Sequence, residues 1–261
     1  MHVEVFGKGS GPALLLIPGG AGDAGTFGRL AAEFAGERTV ITYDRRGFSR
    51  SPIDEADLPR RYDIDVEDAA RLIDEHGGGR ADVLGSSSGG IIALGLVARH
   101  PGKAGAVVAH EPPLTAMVGD GETIRKGFDD VVEVLRRDGA EAAMRHFGEV
   151  TGLGHREPPP LELLPEPVRE LLRRLAGNAG FFVEQELRRY TAVEPDLEAV
   201  RGRVVVAAGD RSGEQFPARA ARGLADRLGT TAVTFPGEHV GYLEYPAEFA
   251  EKLREVFSRA K

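Results

Sequence analysis

The stretch Ala81-Asp82-Val83-Leu84-Gly85-Ser86-Ser87-Ser88-Gly89-Gly90 decides how this chain is read. A short run suited to a strand enters a turn of small residues, and a helical pattern follows over 89–99. Gly85 to Gly89 fits G-x-S-x-G, a pattern whose meaning depends on standing between a strand and a helix, because the central serine is then exposed on a sharp, strained turn. Strand and helix can close on such a turn only if the flanking residues are small, and Gly85, Gly89 and Gly90 satisfy that condition. Ser87 is therefore the candidate nucleophile, on the strength of its placement rather than of the bare pattern.

Working outward, further apolar runs end at glycine or a turn signal: Ala13-Leu14-Leu15-Leu16-Ile17, Thr39-Val40-Ile41-Thr42-Tyr43, Ala106-Val107-Val108-Ala109, Val204-Val205-Val206-Ala207 and Thr231-Ala232-Val233-Thr234-Phe235. Strands covered on both faces are continuously apolar, as these are. Helical patterns fall between them at 65–76, 217–228 and 246–257, which predicts an α/β fold: a mostly parallel central sheet with helices on both faces. From Pro112 to about Val200 the rhythm stops. Spacing becomes helical there, as in Phe128, Val131, Val132 and Leu135, and Pro158-Pro159-Pro160 interrupts it. This predicts a helical cap over 112–200, inserted between the strand ending at Glu111 and the strand starting near Arg203. The core is then 1–111 with 201–261.

Composition sets limits on function. The 261 residues suit one α/β domain with an insertion. A net charge of −8 and a pI near 5.5 supply no basic footprint for a phosphate backbone, so nucleic acid is not an expected partner. Cysteine is absent, which removes disulfides, thiolate metal ligands and a cysteine nucleophile, and suits a reducing compartment. No apolar run approaches the length that spans a membrane, and Met1-His2-Val3-Glu4 does not begin a signal peptide. The expectation is a cytoplasmic protein acting on a small molecule, with no membrane partner; its oligomeric state is not set by the sequence.

A tetrahedral oxyanion needs two backbone N–H donors, one from the residue after the nucleophile and one from the loop after an earlier strand. Ser88 is the first candidate and Gly20, in Pro18-Gly19-Gly20-Ala21-Gly22, the second. A phosphate-cradling loop is the competing reading, but neither G-x-G-x-x-G nor G-x-x-x-x-G-K-[ST] is present there. Among seven histidines, His239 alone follows the last strand run, in Gly237-Glu238-His239-Val240-Gly241. It falls third in the chain order of serine, acid and histidine, which makes it the candidate base. His76 and His100 close helices, where positive charge suits the dipole; His2, His146 and His155 carry no motif.

Taken together, the Gly-Gly loop, Tyr43-Asp44-Arg45-Arg46-Gly47-Phe48-Ser49, the serine turn, the helical insertion and the final Gly-x-His segment resemble the α/β-hydrolase family over nearly the whole chain. The resemblance implies the α/β-hydrolase fold, a serine hydrolase mechanism and no cofactor or metal. It also implies that Asp44, Arg46 and Gly47 are structural. Pro18 stands where relatives often have histidine, and the family's first edge strand is expected to be missing, with 2–6 as the opening strand. The family's usual acid position after Gly209 is occupied by Ser212, a neutral residue that cannot stabilise an imidazolium. Some relatives, lactone-hydrolysing ones among them, draw the acid from the preceding strand end. Glu111 occupies that place and is the expected acid, with Asp210 the alternative.

The implied reaction is hydrolysis of a carboxylic ester or lactone through an acyl-enzyme. Carbon–carbon bond hydrolysis, cofactor-free perhydrolase or lyase chemistry and a non-catalytic ligand receptor are the alternatives. The insertion's Phe128, Leu135, Phe147, Phe181, Phe182 and Tyr190 can roof an apolar pocket. Phe128, Phe181 and Phe182 are the pocket candidates; adjacent helical positions such as 181 and 182 cannot share one face.

Overall fold

The computed structural model describes residues 1–7, 9–154 and 160–259. His155 and the first two residues of the Pro158-Pro159-Pro160 stretch lie outside them. Among the described residues seven strands form one sheet: β1 (Val3–Phe6), β2 (Gly11–Ile17), β3 (Arg38–Tyr43), β4 (Ala81–Ser86), β5 (Ala104–His110), β6 (Val204–Gly209) and β7 (Val233–Phe235), in the order β1-β3-β2-β4-β5-β6-β7. All neighbouring pairs are parallel except β1 with β3, where Val5 faces Ile41 across an antiparallel ladder. The opening segment is thus an edge strand, and it joins the sheet by its antiparallel ladder.

Helices α1 (Gly28–Phe34), α2 (Arg61–His76) and α3 (Ser88–Arg99) lie among the first five strands. Between β5 and β6 come α4 (Gly121–Asp138), α5 (Ala140–Thr151), α6 (Glu166–Phe181), α7 (Arg188–Thr191) and α8 (Leu197–Val200). The chain closes with α9 (Phe216–Leu228), α10 (Gly241–Glu244) and α11 (Pro246–Arg259). The expected insertion is therefore helical over the described residues. Its α6 runs without a break through a π-helical turn, Phe182–Leu187, into α7.

Both sheet faces are covered. Leu15, Ile17, Val83 and Val107 pack with α2, α3 and α9, while Leu14, Leu16, Leu84 and Val108 pack with α1 and α11. Each fully buried Leu or Val contributes about 1.5–3 kcal/mol relative to exposure, which is why the strands are apolar throughout rather than alternating. A third cluster joins Phe128, Val132, Phe182 and Leu187 of the insertion to Phe48 and Phe216 of the core, so the insertion sits on the sheet's C-terminal edge through an apolar seam. In open α/β sheets that edge is where ligands bind.

Candidate active site

The turn after β4 has the geometry that its residues require. Ser87 sits at φ 56° and ψ −124°, a left-handed conformation that costs a non-glycine residue on the order of 1–3 kcal/mol and persists only when its surroundings hold it. They do so closely. A Cβ on Gly85 would stand 2.2 Å from the Gly89 carbonyl oxygen, and one on Gly89 would stand 2.1 Å from that of Ile17. Either substitution would push helix from strand. The Ser87 N–H donates to the His110 carbonyl at 2.9 Å, and its own carbonyl accepts from Gly90 at 2.8 Å, which starts α3.

Glu111 follows directly on β5 with φ 48°, a second strained residue, and is fully buried. Its Oε1 accepts the Gly209 N–H at 2.8 Å and its Oε2 lies 2.6 Å from His239 Nδ1. Burial pushes the carboxyl up, but the bond and charge of His239 outweigh it and hold the group down at about 2. Ser212, in the family's usual acid position, is itself buried. Asp210 is placed elsewhere: about half its side chain is exposed, and Oδ1 accepts the Gly237 N–H at 2.8 Å, fixing the turn that leads to His239.

Ser87, Ser88 and His239 line one cavity with Phe128, Phe147, Phe182, Leu187 and Phe216. Its volume is about 20 Å³, room for a single water. The two threonines at its wall satisfy themselves, Thr151 Oγ1 donating to Phe147 O and Thr191 Oγ1 to Leu187 O, both at 2.7 Å. The wall therefore presents almost no free polar group. On the oxyanion side, a Cβ on Gly19 would stand 2.9 Å from that of Ser87, and one on Gly20 would enter the Phe182 ring at 2.2 Å. The Gly-Gly pair is what lets this loop lie between the serine and the insertion.

Of the three aromatic pocket candidates, Phe128 and Phe182 line the cavity and Phe181 does not. Phe181 turns the other way, edge-on to Phe48 and under the Arg61 guanidinium at 4.6 Å. One residue of helical rotation separates the two rings, and only one can face Ser87. Among the other described histidines, His2, His100 and His146 lie against the carboxylates of Glu4, Glu67 and Glu149, His76 closes α2, and His110 is buried on β5. Asp44 pairs with Arg50, Arg46 with Asp68, and Gly47 takes φ 84°.

Sequence reading missed a buried charged cluster under the Gly-Gly loop. Arg45 bonds Glu186 through both terminal nitrogens, at 2.9 and 2.8 Å, reaches Asp65 at 2.9 Å and donates to the Gly19 carbonyl at 2.9 Å. Arg61 adds a bond to Glu186 at 3.1 Å and Tyr190 one to Asp65 at 2.6 Å. Glu186 would have been legible only as an acid interrupting an apolar helical face. Among the described residues no group of three or more His, Asp or Glu is placed to hold a metal ion.

The chain belongs to the alpha/beta hydrolase family, whose model matches residues 14–252. It is 36% identical over 268 aligned residues to the protein named "Uncharacterized hydrolase YraK" of Bacillus subtilis (strain 168), covering 100% of this chain and 93% of that one. Among solved structures it is similar to the enol-lactonase from Burkholderia xenovorans LB400, with a TM-score of 0.71, 19% identity, and 98% and 96% of the two chains covered. It is also similar to a thermophilic esterase from Thermogutta terrifontis, with a TM-score of 0.71, 19% identity, and 99% and 93% covered. This chain is a hydrolase of that family, and among its described residues no helix is long and apolar enough to cross a membrane.

Proposed function

We propose that this hydrolase cleaves carboxylic ester or lactone bonds of small, largely apolar substrates by acyl transfer from Ser87. The observation that carries the reading is the Glu111–His239 pair, 2.6 Å apart, at an apolar cavity that Ser87 also lines. Ser87 Oγ attacks the carbonyl carbon while Nε2 of His239, which lines the same cavity, takes its proton. With Nδ1–H donated to Glu111 Oε2, Nε2 is left as the free base and the imidazolium that forms is stabilised. The N–H groups of Ser88 and Gly20 receive the oxyanion, which they bind more strongly than the ground-state carbonyl. His239 then returns the proton to the leaving alkoxide, and a water, activated by the same imidazole, releases the acid. No cofactor or metal enters this cycle.

Residues 112–200 act as the cap, and 1–111 with 201–261 as the catalytic core. A cavity that holds one water must widen to admit an acyl or alcohol group, and the aromatic seam of Phe128, Phe147 and Phe182 is the part that moves. An apolar wall with self-satisfied threonines disfavours charged substrates, since a buried charge without a partner is costly. The similarity to an enol-lactonase and an esterase supports the same bond class. The test is turnover of a chain-length series of p-nitrophenyl esters beside a panel of lactones. Hydrolysis in at least one series, with a clear optimum in size, is expected; no turnover in either would overturn the proposal.

A further inference from the structure

The proposed mechanism uses two backbone N–H groups and leaves the buried Arg45, Arg61, Asp65 and Glu186 cluster without a task. Burying four charges is a weak source of stability, because the desolvation cost offsets most of the attraction and an apolar cluster of similar volume would often do as well. The placement of this cluster gives it another meaning. Arg45 Nη2 donates to the Gly19 carbonyl, and that carbonyl and the Gly20 N–H belong to one planar trans peptide unit, so they point in opposite directions. Fixing the first therefore aims the second. The need is real, since a peptide between two glycines meets few steric barriers to reorientation.

Glu186 holds that arginine through both carboxylate oxygens, the two-pronged geometry that fixes a guanidinium in orientation as well as position. The nearby Ser88 hydroxyl adds to what holds this carboxyl below its ordinary range, after the Arg45 and Arg61 charges. One buried side chain thus bears on both arms of the oxyanion hole, bonded through Arg45 to Gly19 on one side and lying near the Ser88 hydroxyl on the other. It comes from the π-helical turn Phe182–Leu187, which buries Phe182, Val183, Glu186 and Leu187. Isolated π turns within α-helices are frequent at functional sites.

We propose that Glu186 is a positioning residue for the oxyanion hole, its carboxylate setting the Gly19–Gly20 peptide through Arg45 and steadying Ser88 directly. The hole is then complete only while the inserted helices are seated on the core. This inference rests on the acyl-transfer reading, and its test separates the two.

Glu186→Gln keeps the shape and removes the charge, and Ser88→Ala keeps the backbone N–H and removes the hydroxyl. Each variant is compared with the parent protein in kcat and KM for the best p-nitrophenyl ester and in affinity for a trifluoromethyl ketone of matching chain, whose adduct places an oxyanion in the hole. Loss of one oxyanion donor costs about 10²–10³ in kcat, so Glu186→Gln is expected to lose on the order of 10². KM should stay within about twofold and the ketone should weaken by the same factor as kcat/KM, the signature of an interaction made only in the transition state. Ser88→Ala should lose about tenfold with the same matched pattern, and the double variant should lose less than the product of the two.

A Glu186→Gln protein of lowered melting temperature but unchanged kcat and ketone affinity overturns the inference. So does a rise in KM with kcat preserved. If Glu186→Gln does not fold, Ser88→Ala decides alone: matched losses support the inference, and parental kinetics overturn it. Failure of the parent protein to react with a fluorophosphonate or to turn over any ester defeats the acyl-transfer reading itself. A reactive parent with parent-like variants defeats only the role of Glu186.

Discussion

Glu111 reaches His239 from the end of β5, passing the end of β6, where the Gly209 N–H holds its second oxygen. Neighbouring strands lie about 4.8 Å apart, so a glutamate from one strand end spans the distance that an aspartate would cover from the next. The strained φ of 48° and the Pro112 that follows aim the side chain back over the sheet edge rather than into the insertion.

This relationship predicts an asymmetry between two carboxylates. Removing the acid leaves the imidazole in the wrong tautomer, a loss of about 10⁴ in kcat in a serine protease. Glu111→Gln should therefore lose at least about two orders of magnitude in turnover. Asp210→Asn, which alters the turn at Gly237 and a long pair with Arg211, should lose much less than tenfold. Steady-state kinetics on one ester decide it, and the reverse order would assign the acid to Asp210.

The two adjacent phenylalanines should separate specificity from stability. Phe182→Ala enlarges the cavity beside Ser87 and should shift the preferred acyl or alcohol size upward, read from the ester chain-length profile. Phe181→Ala removes packing against Phe48 and Arg61 and should cost about 2 kcal/mol in urea unfolding, with the profile unchanged. A profile that moves with Phe181 and not with Phe182 would contradict the placement of the cavity.

Acid should destabilise the fold in two stages. Burial holds the His110 imidazole down at about 4, so the unfolded chain binds its proton first and stability falls as pH drops from about 6.5 to 4. Glu111 at about 2 contributes stability that is complete above its ordinary 4.5 and is lost as pH falls through 2. Each shift corresponds to about 3 kcal/mol at most. Among the described residues neither His110 ring nitrogen has a hydrogen-bond partner, and the ring lies against Phe235 and Phe249, so phenylalanine fits its site. His110→Phe should flatten the unfolding free energy between pH 6.5 and 4 while leaving the fall below 4.5. An unchanged slope in the upper window would show that His110 is not its source.

Much of this was legible in the sequence because it depends on local chemistry. The strand runs, the small residues around Ser87, the position of His239 and the helical spacing after Pro112 each reflect a constraint that acts within a few residues. The carboxylate that meets His239 was legible as a choice between Glu111 and Asp210, since Ser212 excluded the usual position, but only the fold shows which one it is. What stayed hidden is what the chain assembles from distant parts. Arg45 and Glu186 stand 141 positions apart, and no periodicity announces a buried ion pair. The opposite orientations of Phe181 and Phe182 depend on how α6 is rotated on the core, which hydrophobic spacing leaves open by one position.

The most direct test of the account is covalent labelling of the serine. Ser87 is expected to react with a fluorophosphonate probe, because it lies on the strained turn and lines the cavity with His239. Intact-protein mass spectrometry should show one adduct per chain and peptide mapping should place it on Ser87. Ser87→Ala should abolish both labelling and ester turnover while circular dichroism and melting temperature stay those of the parent. Labelling at Ser86 or Ser88, or turnover that survives Ser87→Ala, would contradict the central claim.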